Sequence, residues 1–323
     1  MISIEEIDKN IDKFGSSSLK LNVHGDNVDY SILNSLRHVC INQIPIYAFH
    51  PSKINILKNT SVYDNSYMRV RLSQLPINNI NHIVKFLSLK YYKDINFADA
   101  NYTKHPDDTF DITYFIKMKN TGPEKKAYVS TNDIRITINN EIIDNKKIYS
   151  SEYPILLIDL RPDEEFECSM KAVLAVGELD SIFNASNTYY EEIAENKYHL
   201  TVKSFGQKSE YEILNLGCEI IIEKLKIIKE NVNQNQYNLI VTENNSLILE
   251  MINEDYTCGG VINYFLQNFK EVIYSGVTKT DFLQKNILLK LKVEQTANIL
   301  ETLNKAIDNS IKLFENIKKK LKN

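Results

Sequence analysis

The chain has 323 residues, 43% of them hydrophobic, and a formal net charge of −4 from 38 Lys and Arg against 42 Asp and Glu. That length holds two or three domains with cores of their own. No apolar run approaches ~18 residues, which excludes a membrane-spanning helix, and the acidic balance removes a global electrostatic case for nucleic-acid binding. The opening MISIEEIDKNIDKF reads as a short acidic helix and not as a signal peptide, with a break at Gly15–Ser18. Leu19, Leu21 and Val23 alternate as a strand, and Asp26 and Asn27 read as turn or cap residues. Ile32, Leu33, Leu36, Val39 and Cys40 follow at helical spacing within an arc of roughly 120°. Pro45 forbids continuation of that helix and favours extended chain before it.

From Pro51 to Asn196 the texture changes. Short β-like runs at 112–118, 133–138, 154–160 and 167–173 alternate with turn-rich pieces, as in an inserted, mainly-β domain. Order returns at Tyr198–Ser204, which alternates as a strand. Ser209 and Glu212 then have the form of a capping box, opening a helix in which Ile213, Leu216, Ile220, Glu223/Lys224 and Ile227 lie about one turn apart, to about Val232. The polar NVNQNQYN (Asn231–Asn238) reads as a junction. Two strands, NLIVT and SLILEMI, come next with a turn at Asn244-Asn245. Thr257 is the expected cap, and Asp255 the dipole partner, of a helix carrying Ile262, Phe265, Leu266, Phe269 and Ile273. Ile287–Val293 is a third strand. A long helix follows, with Leu300, Leu303, Ile307, Ser310, Phe314, Ile317 and Leu321 on one seam.

This is an α+β chain of two units, each a small antiparallel sheet with two helices. The first comprises 1–50 and 197–232 and is interrupted by the insert, 51–196; a linker, 233–238, leads to the second, 239–323. Each long helix carries more apolar surface than one small sheet covers, so the units are expected to pack helix on helix as an intramolecular pseudo-dimer. Leu36, Ile220, Phe265, Phe269, Leu303 and Phe314 are its expected packing residues.

Cys40, Cys168, Cys218 and Cys258 form no C-x-x-C pair, and the six histidines show no ligand spacing, so reduced thiols and no metal or other cofactor are expected. Asp107-Asp108 and Asp163-Glu164-Glu165 read as solvated turns; no nucleophile, base and oxyanion donors assemble into a catalytic residue set. Gly259-Gly260 allows close helix approach and is not a phosphate loop. The closing lysines Lys318, Lys319, Lys320 and Lys322 complement a helix C-terminus.

VDYSILNSLRHVCINQIPIYAF, followed by NTSVYDNSYMRVRLSQLPI, resembles the N-terminal core of the RNA polymerase alpha subunit, whose eukaryotic relative is the third-largest subunit and whose archaeal relative is its D-type counterpart. Asn34, Leu36, Arg37, Pro45, Asn59, Ser61, Arg71, Leu72 and Pro76 stand at the family's motif positions, with His38 in place of a second Arg. RPDEEFECSMKAVLAVGELDSIFNASN resembles the segment leading out of the family's insert, with its usual glycine-rich core eroded, and YHLTVKSFGQKSEYEILNLGCEIIIEKL resembles the returning strand and helix. The tail resembles the smaller alpha-like partner, the eleventh eukaryotic subunit or its archaeal L-type counterpart. Glu254-Asp255-Tyr256-Thr257-Cys258-Gly259-Gly260 stands for its E-D-H-T-x-G-N, with Tyr256 for His and Gly260 for Asn.

The layout looks like the fused subunits of large cytoplasmic DNA viruses, which makes both units alpha-like dimerisation domains. The resemblance implies a non-catalytic assembly subunit of a multisubunit DNA-directed RNA polymerase, intracellular, in the infected-cell cytoplasm or virion if viral and otherwise in the nucleus. Its implied partners are the second-largest subunit, the largest subunit and small zinc-bearing subunits, with no direct specific nucleic-acid contact and no membrane. Arg37 flanks the apolar stripe and His38 points nearly opposite it. A guanidinium so placed suits a partner's carboxylate or carbonyls. With Asn34, Arg69, Arg71, Asn59 and Ser61 these residues form the expected partner interface. Taken without the resemblance, the residues also leave open an intracellular α+β enzyme or a nucleic-acid-binding module.

Overall fold

Leu19, Leu21 and Val23 are buried along one face of the strand Ser17–His24, and Tyr198, Leu200 and Val202 along the same face of Lys197–Ser204. The two strands pair antiparallel at the centre of a four-stranded sheet. The computed structural model describes residues 2–11, 16–26, 28–99, 102–122, 125–234, 236–242, 245–279 and 286–321. Ser3–Ile11 is one edge strand of this sheet, not the expected helix. Ile2 and Ile4 reach the core from it, and pairing with Ser17–His24 satisfies backbone groups that a free helix would leave exposed on that neighbour. The expected break at Gly15 lies outside the described residues. The other edge is Ser186–Ala194, paired with Lys197–Ser204. The chain thus rejoins the first sheet at Ser186, ahead of the expected end of the insert at 196.

Helix α1, Tyr30–Asn42, starts at Asp29, whose carboxylate accepts from Ser31 N at 2.8 Å, and it buries the expected stripe Ile32, Leu33, Leu36, Val39 and Cys40. Pro45 precedes Ile46–Ala48, which pairs with Val173–Ala175 as a two-stranded ribbon. This ribbon is shared by two cores. Ile46, Ala48, Val173 and Ala175 belong to the core beneath the helices, while Tyr47 and Leu174 belong to a separate core inside the insert.

The insert holds a five-stranded antiparallel sheet in the order Ile54–Asn59, Glu165–Lys171, Ile112–Lys119, Arg135–Ile138, Glu141–Ile143. A ribbon of Ala127–Ser130 with Leu156–Leu160 lies beside it. Helix α2, Asn65–Ser73, was not foreseen. Asp64 caps it through Ser66 N and Tyr67 N, and only Met68, Leu72 and Ser73 are buried along it. Asp108, expected on a solvated turn, has a side chain only 3% exposed, where its carboxylate accepts from the Tyr47 hydroxyl.

Helix α3, Glu210–Asn233, starts at the expected capping box of Ser209 and Glu212. Asn235 of the expected linker and Asn244 of the expected turn lie outside the described residues. The second unit has four strands, ordered Asn238–Thr242, Ser246–Ile252, Asn286–Val293, Val272–Thr278. Helix α4, Tyr256–Gln267, is capped by Asp255, which accepts from Thr257 N at 2.8 Å; Thr257 is therefore a first-turn residue and not the cap. The helix stops before Ile273, which sits on the fourth strand that the sequence reading missed. Gly259 lies against its own sheet, where an added Cβ would stand 3.1 Å from Ile287 Cδ1, whereas the space at Gly260 is open. The expected close approach of a helix at Gly259-Gly260 is thus an approach to a sheet, at Gly259 alone. Helix α5, Ile299–Lys320, is capped by Asn298. Its seam begins at buried Ile299, since Leu300 is 41% exposed.

His82 marks the junction of the insert with the first unit. It is 8% exposed, with its ring edge-on to Tyr47 at 5.4 Å. Burial, reinforced by the Lys208 ammonium, pushes its pKa down to about 4. Neutral His82 therefore favours the fold fully above its unfolded pKa of 6.5, and this contribution is lost as pH falls from there towards about 4. Urea unfolding between those limits should show a loss on the order of 3 kcal/mol that is missing from His82→Gln. Equal losses in both proteins would remove His82 as the source.

Candidate functional site

The candidate site is the clasp of α1, α3, α4 and α5, together with the outer surfaces that the clasp fixes. α1 packs on α4, and α3 on α5. The pairings obey a pseudo-two-fold relation that can be read residue by residue. Ile32, Leu33, Leu36 and Cys40 lie at the same steps along α1 as Cys258, Gly259, Ile262 and Leu266 along α4, and all are buried. Ile213, Leu214, Gly217, Cys218, Leu225 and Ile228 on α3 correspond to Thr302, Leu303, Ala306, Ile307, Phe314 and Ile317 on α5, also all buried. The rim ion pairs follow the same relation. Lys229 meets Asp308 at 2.6 Å, and Lys318, at the equivalent place on α5, meets Glu219 at 2.5 Å. His38 faces the α4 cap Asp255, and Tyr264, its equivalent, faces the α1 cap Asp29.

Helices approach closely where side chains are small. A Cβ at Gly217 would stand 2.7 Å from Cys40 Sγ and 3.1 Å from Leu36 Cδ1. Ser35 donates its hydroxyl to Thr257 O at 2.7 Å, tying α1 to the first turn of α4. His38 Nδ1 lies 3.2 Å from Thr257 Oγ1. Burial lowers the His38 pKa against the opposing pull of Asp255. His38 was expected to point away from the stripe towards a partner. It instead lies half-buried inside the clasp, because α4 crosses α1 at that turn.

The remaining expected interface residues fall into two groups. Asn34 is exposed on α1, and its Oδ1 accepts from Arg37 Nε at 3.1 Å and Nη2 at 3.0 Å, holding the guanidinium at the stripe's edge. The others lie on the insert. Arg71 donates to Leu157 O at 2.8 Å and Leu156 O at 2.9 Å, and Arg69 to Ile54 O at 3.3 Å, so both brace α2 against strands. Asn59 Oδ1 accepts from Ser61 N at 3.1 Å and Oγ at 2.6 Å, which shapes the turn entering α2.

Of the expected packing residues, Leu36, Ile220, Leu303 and Phe314 are buried, and Phe265 and Phe269 are partly buried against the same core. Sequence reasoning missed the ion pair between Lys224 and Glu254 at 3.0 Å. Its signal was present, since Lys224 falls on the buried stripe of α3, where a charge calls for a partner. Among the described residues, no group of three or more His, Cys, Asp or Glu side chains could hold a metal ion, and no helix is long and apolar enough to cross a membrane. All four cysteines are buried and free.

The packing geometry ranks the contacts. Gly217→Val should cost about 1–3 kcal/mol by overpacking α1 against α3. Lys229→Ala and Lys318→Ala should each cost less than ~1 kcal/mol, because both rim pairs remain partly solvated. Urea midpoints of the three variants test the order, and the reverse order would place the clasp's stability in its rim.

Comparison with known proteins finds two matches to one family. Residues 246–320 match the family profile described as the RNA polymerase Rpb3/Rpb11 dimerisation domain. Residues 23–225 match a second profile of that description. A protein of Acanthamoeba polyphaga mimivirus, named as a candidate DNA-directed RNA polymerase subunit, is 26% identical over 322 residues, covering 93% of this chain and 89% of that protein. With two such matches, one of them spanning most of its length, the chain belongs to the RNA polymerase Rpb3/Rpb11 dimerisation family.

Proposed function

We propose that the chain is a non-catalytic assembly platform of a multisubunit DNA-directed RNA polymerase, with both members of the family's dimer in one polypeptide. The pseudo-two-fold clasp carries this reading. It supports a division in which 1–50 and the returning 186–233 form the D-like unit, 51–185 the insert and 239–323 the L-like unit. Linkage turns the meeting of the two units into an intramolecular step, with an effective concentration on the order of mM for a short flexible linker. The product is a rigid surface ready for larger subunits.

The partner on the α1 side is the second-largest subunit, and two observations support that surface. Arg37 is pre-positioned by Asn34. On the insert, α2 and the turn before it expose Val62, Tyr67 and Val70 at 63%, 47% and 60%. A pre-positioned cation and exposed apolar groups are each the makings of a protein interface. Arg71 serves that surface indirectly, by fixing α2 to the strand Leu156–Leu160. The largest subunit and small zinc-bearing subunits complete the assembly, in an intracellular compartment.

Affinity capture of the tagged chain from its native source should recover a complex of polymerase subunits in fixed proportion; a free chain would refute the platform. Arg37→Glu should leave unfolding of the purified chain unchanged and lower recovery of the second-largest subunit by roughly tenfold or more, since reversing a charge at such a contact costs several kcal/mol. Unchanged recovery would remove Arg37 from the interface.

A further inference from the structure

The rim ion pairs are blind to which units meet. Lys229 and Lys318 hold equivalent places on α3 and α5, as do Glu219 and Asp308. A first unit facing a copy of itself would set Lys229 against Glu219. A second unit facing a copy of itself would set Lys318 against Asp308. Both arrangements keep opposite charges together, so neither is rejected at the rim.

Deeper in the clasp the relation breaks at one charged contact. Lys224 on α3 pairs with Glu254 at 3.0 Å, their side chains only 13% and 11% exposed. Glu254 directly precedes the α4 cap Asp255, as Val28 directly precedes the α1 cap Asp29. Leu313 stands on α5 where Lys224 stands on α3, and Val28 and Leu313 are both buried in the shared core. One side of the pseudo-two-fold thus holds a buried cation with a buried anion, and the other side two aliphatic side chains. Burial opposes the charge on Lys224, but the neighbouring acids Glu254 and Asp255 favour it, and the ammonium's pKa lies above its ordinary range.

We propose that this contact is a pairing code, admitting the first unit with the second and rejecting either unit against a copy of itself. Self-pairing of first units would press Lys224 of each chain onto Val28 of the other. Self-pairing of second units would press Glu254 onto Leu313. Each wrong pairing buries two unpaired charges, and orphaning one partner of a buried pair is strongly destabilising. A buried ion pair adds little stability over an apolar pair of similar volume, so its value here lies in discrimination. Linkage brings the two halves of one chain near each other, and the code keeps them from exchanging with the same halves of neighbouring chains. This inference stands on the clasp alone and does not depend on which polymerase subunit docks outside it.

The test uses the full chain, refolded from urea at ~100 μM and sorted into monomer and dimer by size-exclusion with light scattering. Lys224→Leu/Glu254→Val makes both sides of the contact apolar; Lys224→Glu/Glu254→Lys keeps the pair and exchanges its signs. Exchange of unlike halves keeps the Lys224–Glu254 contact, so self-paired units are counted among the dimers by carbodiimide links between Lys229 and Glu219 or between Lys318 and Asp308, and the apolar double variant should give at least ~10-fold more of these links than the wild type and the sign-exchanged variant. Lys224→Leu alone should lower the urea midpoint, and both double variants should restore most of it, which separates pairing choice from failure to fold. Equal frequencies of these self-pairing links in the wild type and the apolar variant would overturn the code. So would a Lys224→Leu chain as stable as the wild type, because Glu254 would then tolerate an apolar neighbour.

Discussion

Four helices, each with more apolar surface than its own sheet can cover, govern this structure. The two four-stranded sheets bury the inward faces of α1, α3, α4 and α5, and the faces left over stay dry only against one another. Burial of this kind is non-directional and would accept many arrangements. The geometry is narrowed by features that are directional or steric: the Ser35 hydroxyl on the Thr257 carbonyl, the caps Asp29 and Asp255, and the missing side chain at Gly217. Once the clasp is set, the four helices are fixed against one another.

Electrostatics in the clasp is graded by depth. Lys229 with Asp308 and Lys318 with Glu219 lie at the partly solvated rim and trim its edges. Lys224 with Glu254 lies where a misplaced charge has no water to turn to. The histidines differ in a similar way. His38 sits between helices beside an acid that partly offsets its burial, whereas His82 has a lysine for a neighbour and no such relief. Acidification therefore strains the joint to the insert.

The two units and their helices were legible because their signals are periodic: Ile32 to Cys40 on α1, the capping box at Ser209, the seam of α5. Short or edge elements were not. Ser3–Ile11 has acidic, helix-tolerant residues and is a strand only because Ser17–His24 offers it an open edge. Ile273 continues the apolar spacing of α4, yet the helix ends at Gln267 and Ile273 falls in a strand held by a neighbour close to the chain's far end. α2 carries few buried residues, and its motif was visible as a resemblance before its helix was visible as a pattern. For the candidate site, a helical wheel could place Arg37 at the stripe's edge but could not show that another helix crosses over His38. A contact between residues far apart in sequence leaves no trace in either local pattern.

The ribbon of Ile46–Ala48 and Val173–Ala175 divides the molecule in a way that bears on its history. Its alternate side chains serve two cores, so it seals each from the other along a single pleat. Most of what lies between those two short strands serves the insert's own core and can be rebuilt or exchanged, provided the pleat keeps its inner row of Ile46, Ala48, Val173 and Ala175 and Phe97 keeps its place in the core beneath the helices. That stretch of the insert is thus the portion of the molecule freest to diverge while the clasp beneath it stays intact.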